Sequence, residues 1–136
     1  MEKMRPLLCS AAVVLVLAAC SSSTGPATAA SIAGTWSGTI SQTNPVLTYP
    51  LSVVLTSGQG GTTTYGAPVN CGGTLTPAGV SGNTYTYSEH ITSGIANCVD
   101  GGRVQATLNG NSLAWVWTLP VNPMPGDTDR TTLTRQ

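Results

Sequence analysis

Arg103-Val104-Gln105-Ala106-Thr107-Leu108-Asn109-Gly110-Asn111-Ser112-Leu113-Ala114-Trp115-Val116-Trp117-Thr118-Leu119 is the stretch on which the fold turns. Val104, Ala106 and Leu108 fall on one side of a period-two run. Asn109-Gly110 is a strong hairpin signal, because both residues tolerate the positive φ of a type I′ turn. Leu113, Trp115, Trp117 and Leu119 then align on one face of the returning run. Alternation on both sides of a tight turn describes two antiparallel strands with one buried face.

The same pattern extends in both directions. Trp36, Gly38 and Ile40 share a face within Gly34 to Gln42, and Asn44-Pro45 interrupts. Leu51, Val53 and Leu55 share a face within Leu47 to Thr56. After a turn at Gly58 to Gly61 come a short run from Thr62 to Tyr65 and another from Cys71 to Thr76. Pro77 to Asn83 reads as a turn. Tyr85, Tyr87, Glu89 and Ile91 align within Thr84 to Ile91, and Thr92 to Asp100 reads as irregular. Pro120 to Asp127 reads as a loop, and Thr128 to Thr134 closes the chain around Leu133. No run has helical periodicity. One-sided strands joined by short links favour a meander whose edges must be covered or closed. The expected fold is all-β: a small antiparallel barrel or barrel-like sandwich of about eight strands.

Composition agrees. The 136 residues suffice for one ordinary domain. Charged residues are only 7%, Phe is absent, and 16 Gly, 9 Pro and 21 Thr argue against a helical bundle. Five basic residues balance five acidic ones, so the basic patch that nucleic acid requires is missing.

The N-terminus reads as an address. A short basic start precedes an uncharged run from Leu7 to Ala19, too short for a membrane span and suited to the core of a secretory signal. Leu17-Ala18-Ala19-Cys20 resembles the bacterial lipobox. That resemblance implies a signal peptide over 1–19, lipid on Cys20, and a tether over 20–31 leading to a β domain over 32–136. Two or more acyl chains anchor stably, where one binds only marginally. The implied location is the extracytoplasmic face of the cell membrane, or an outer membrane where the cell has two. Of the four cysteines, Cys9 would leave with the signal and Cys20 would carry lipid. Cys71 and Cys98 remain, in a compartment where disulfides persist, and are expected to pair.

Several pieces resemble a small extracytoplasmic domain of actinobacterial lipoproteins and of some membrane serine/threonine kinases. They are Gly34-Thr35-Trp36-Ser37-Gly38-Thr39, Cys71-Gly72-Gly73-Thr74-Leu75, Glu89-His90-Ile91-Thr92-Ser93-Gly94, Cys98-Val99-Asp100-Gly101-Gly102 and Thr132-Leu133-Thr134-Arg135. The likeness implies no settled activity. Gly34-Thr35-Trp36 also resembles the Gly-x-Trp of the calycins, the lipocalin and avidin group of ligand-binding barrels.

Candidate chemistry is sparse. Trp36, Tyr85, Tyr87, Trp115 and Trp117 sit at inward positions, where they serve either as core or as the wall of a ligand cavity. Glu89 shares that parity and needs a partner if buried. A clasp with Arg103 is expected, with Arg135 as another candidate and a catalytic acid as the sharper alternative. His90, the only His, could join Ser88 and Asp100 in a hydrolase triad, but no Gly-x-Ser-x-Gly elbow exists. Asp127-Thr128-Asp129 reads as a solvated turn rather than a calcium site. Pro120 to Pro125 reads as a stiff connector rather than a peptide-recognition segment. No metal or cofactor is called for. The anchor, the tether and the shortage of catalytic groups suggest a non-enzymatic module that engages the membrane through lipid and meets an envelope protein. The alternative is a calycin-like barrel for a small apolar ligand, and a cavity of about 300 Å³ or more would favour it.

Overall fold

A computed structural model describes residues 30–43, 45–57, 60–120 and 128–136. The expected signal segment, Cys20 and nearly all of the tether lie outside these residues. Eight strands follow one another: β1 Gly34–Thr43, β2 Val46–Thr56, β3 Gly60–Tyr65, β4 Cys71–Ser81, β5 Thr84–Ser93, β6 Arg103–Asn109, β7 Ser112–Thr118 and β8 Thr128–Arg135. Each pairs antiparallel with the next, and β8 returns to β1, so the sheet is a closed barrel rather than a sandwich. Closure removes the free edges that an open meander would expose.

The hairpin read first holds in register. Val104 lies opposite Trp117, Ala106 opposite Trp115 and Leu108 opposite Leu113. Most strand limits shift by a residue or two, β5 running on to Ser93, and two differ in kind. β4 continues past Thr76 to Ser81, and a register shift between Pro77 and Gly79 absorbs the proline, which has no N–H for the ladder. Gly60 and Gly61 belong to β3 rather than to a turn. A Cβ on Gly61 would stand 2.0 Å from the Val54 carbonyl oxygen, so β2 and β3 approach this closely only without a side chain there.

The two ends of the barrel differ. Tight turns at Gly82-Asn83 and Gly110-Asn111 lie at the end where the described chain enters and leaves. Ile32 is buried there, and Trp36 Nε1 donates to its carbonyl oxygen at 2.9 Å. The Arg135 guanidinium lies 4.2 Å from the centre of the Trp36 ring and donates to the carbonyls of Ala33 at 2.7 Å and Ser31 at 2.6 Å. Trp36, Val53, Leu113, Trp115 and Leu133 fill the interior behind this closure. The opposite end carries the longer connections, and there the packing gives way to a hollow.

Candidate functional site

An eight-stranded barrel is just wide enough inside for side chains or one small ligand. This one is packed with side chains at one end and hollow at the other. Toward the end bearing the longer loops it carries a half-open cavity of about 330 Å³. Ile40, Leu47, Ile91 and Leu119 give it apolar wall, and Tyr49, Tyr65 and Trp117 give it aromatic wall. The tyrosine rings meet edge to face, with centroids 6.1 Å apart.

Glu89 lies in that wall and is only 3% exposed. Its Oε1 accepts from the Thr63 hydroxyl at 2.6 Å and the Tyr65 hydroxyl at 2.8 Å. Its Oε2 accepts from Trp117 Nε1 at 2.8 Å. Strand parity explains the convergence: β3 presents Thr63 and Tyr65 inward, β5 presents Glu89 and β7 presents Trp117. Gly102 makes room for the indole, since a Cβ there would stand 2.0 Å from Trp117 Nε1. Burial, and then the Glu89 charge, push the Tyr65 hydroxyl above its ordinary ionisation range.

A second carboxylate faces the same space. Asp129 lies opposite Trp117 in the β7–β8 register. Its Oδ2 accepts from Gln42 Nε2 at 3.1 Å and from the Tyr49 hydroxyl at 3.3 Å. Burial and the neighbouring Asp129 raise the Tyr49 pKa in the same direction. Trp117 therefore stands between two carboxylates, bonded to one and beside the other.

The connection from β5 to β6 completes the wall with Asn97, Cys98 and Val99. Cys98 is bonded to Cys71 at the start of β4, with Cα atoms 6.3 Å apart. Asp100 Oδ1 accepts from the Ile91 backbone N–H at 2.8 Å, a bond that lowers the Asp100 pKa and draws the loop against β5. Ile95 and Val99 of this loop and Val46 at the start of β2 expose apolar side chains at this end.

The expected site residues divide among these regions. The Cys71–Cys98 disulfide is present. Trp36, Tyr87 and Trp115 are core, Tyr85 is half-buried away from the cavity, and Trp117 alone of the five lines it. The expected Glu89–Arg103 clasp is not made. Arg103 is exposed and lies opposite Ser88, the outward neighbour of Glu89, so the two side chains stand on opposite faces of the sheet. Hydroxyls and an indole take the place of the cation, and Arg135 is spent at the closed end. His90 Nδ1 does reach Asp100 at 3.1 Å, but on the outer face, with the two side chains 70% and 49% exposed. Thr128 and Asp129 open β8 instead of forming a turn, and Asp129 reaches the cavity. Asp127 and the connector over 121–127 lie outside the described residues.

Sequence reasoning missed Thr63, Tyr65, Tyr49, Gln42 and Asp129 as site residues. Parity held the signal: Asp129 falls in step with the buried Leu133, and Thr63 with Tyr65. Among the described residues no cluster suited to a metal ion occurs. Comparison of the chain with protein-family models, curated proteins and solved structures finds no match.

Proposed function

We propose that the chain is a non-catalytic binding domain that takes one small molecule into the cavity at the open end of its barrel. The observation that carries this reading is the cavity itself. Its volume of about 330 Å³ lies within the roughly 300–1,000 Å³ of small-molecule sites, at the small end. Its make-up is also that of such sites, a mostly apolar and aromatic wall with a few convergent polar groups. A pure interaction module has no use for a hollow, and hydrophobic packing would have filled it at a gain in stability. Of the two readings the sequence left open, the ligand-binding barrel is therefore the better supported.

The domain acts, in this proposal, outside the cell membrane, exported by residues 1–19 and held by lipid on Cys20. The disulfide agrees with an oxidising compartment. The geometry also suits a tether. The chain enters at the closed end, beside Ile32 and Arg135, so a short tether would turn the cavity mouth away from the membrane.

Amide NMR spectra recorded with mixtures of small aromatic and aliphatic compounds test the reading. Shifts concentrated at Tyr49, Tyr65, Trp117 and residues 97–99 are expected. Shifts only on the outer face of the sheet would return the function to surface interaction.

A further inference from the structure

We infer that the ligand is a small organic cation, an ammonium group carried on an apolar body. This rests on the cavity being a binding site and goes on to name what it binds.

Two carboxylates, Glu89 and Asp129, lie at the cavity wall, and among the described residues lining it there is no Lys, Arg or His. The described arginines lie elsewhere: Arg103 and Arg130 are exposed on the outer face, and Arg135 packs on Trp36 at the closed end. The segment 121–127, which leads into β8, has Asp127 and no basic residue in its sequence.

Hydrogen-bond supply points the same way. Trp117, Tyr65 and Thr63 all donate to Glu89, and Gln42 and Tyr49 donate to Asp129. These donors are thus already committed to a carboxylate. An anionic ligand would meet two negative charges and donors turned away from it. Glu89 has used three of its roughly four acceptor positions, so a ligand entering here must bring a donor. A buried carboxylate held only by neutral groups also lacks an opposite charge, which a cation would supply. Tyr49, Tyr65 and Trp117 line the same space. Aromatic rings attract ammonium groups lying within about 6 Å of their centres, most strongly where water is excluded. The apolar wall beyond them fits the body of the ligand, not its charge.

The test is isothermal titration calorimetry on the full-length chain with three matched probes: phenethylammonium, phenethyl alcohol and phenylacetate. Phenethylammonium should bind at least about tenfold more tightly than the alcohol, and phenylacetate should give no detectable binding. Glu89→Gln should bring the ammonium and alcohol affinities to within about threefold of each other, read as the ratio of the two affinities in the variant. Asp129→Asn should narrow the same gap, and it stands alone as the variant if Glu89→Gln does not fold by near-ultraviolet circular dichroism. Equal binding of ammonium and alcohol to the wild type, or a preference for phenylacetate, would overturn the cation inference and leave the cavity reading intact. An ammonium preference unchanged in the folded variants would also overturn it. Failure of all three probes would overturn the binding reading itself.

Discussion

Gly102→Ala should destabilise the domain far beyond the usual cost of a single methyl group. The added Cβ would stand 2.0 Å from Trp117 Nε1, 2.3 Å from Cε2 and 2.7 Å from Cζ2. The Gly102 backbone cannot retreat cheaply, because its carbonyl oxygen accepts from the Glu89 N–H at 2.8 Å. An indole is rigid and has no flexible end to swing aside, so the whole ring must leave its slot. Leaving breaks the bond from Nε1 to Glu89, worth about 1.5–3 kcal/mol for a charged acceptor. Repacking the ring adds about 1–3 kcal/mol of overpacking cost. The sum is about 2.5–6 kcal/mol. Each kcal/mol shifts Tm by about 4–8 °C in a domain of this size, so Tm should fall by at least about 10 °C. Urea unfolding followed by circular dichroism measures the loss. Trp117→Leu in the Gly102→Ala background should recover part of it, giving a coupling energy of at least about 1 kcal/mol. A Gly102→Ala protein within about 1 kcal/mol of wild type, or strictly additive losses, would refute the reasoning.

Replacing Cys71 and Cys98 with Ala opens a loop of sequence separation 27, which should cost about 3.5 kcal/mol in the chain-entropy model. Amide exchange should then rise most at residues 94–101, and uniform exchange would contradict a local role for the bond. Trp36→Phe should cost about 1–2 kcal/mol more than Trp115→Phe. Trp36 loses its bond to Ile32 and its contact with Arg135, whereas the buried Trp115 Nε1 has no partner to lose; equal costs from denaturant unfolding would count against this. Stability should decline as pH rises from about 10. Tyr49, Tyr65 and Tyr87 are all held above their ordinary pKa by burial first, so the folded chain keeps protons that the unfolded chain releases. Their contribution is complete below that pH and is lost above it. Tyrosinate absorbance appearing together with unfolding is the expected result, and full ionisation near pH 10 with the fold intact is the contrary one.

The strand pattern was legible because the side-chain period of a strand is a strong signal and most inward positions here are apolar. Val104, Ala106 and Leu108 against Leu113, Trp115 and Trp117 needed no tertiary information. Closure was less legible, since a sandwich and a barrel make the same demands on each strand. The backbone pairing of β1 with β8 rests on Trp36 opposite Arg135 and Ser37 opposite Thr134, and nothing local announces it. Pro77 misled because proline ends most strands, yet here a register shift at an exposed position accommodates it.

The site was harder to read for a related reason. Glu89 could be placed inward by parity, and its need for a partner followed from burial. Choosing that partner required knowing which strands meet across the barrel. Charge alone suggested Arg103, but register put Ser88 opposite Arg103 and sent both outward. The actual donors come from β3 and β7, strands far from β5 in sequence. Polar residues on an inward face, Thr63 and Asp129 among them, looked like ordinary strand and turn residues until the cavity gave them a common neighbour.

The central claim is that the hollow end of this barrel holds a small molecule. Native mass spectrometry of the chain recovered from the membranes of its own host, repeated after denaturation, tests that claim most directly. The account predicts a native mass exceeding the denatured mass by that of one small basic compound, with the excess lost in a Glu89→Gln protein recovered in the same way. Identical native and denatured masses, from a chain whose disulfide is intact, would contradict it.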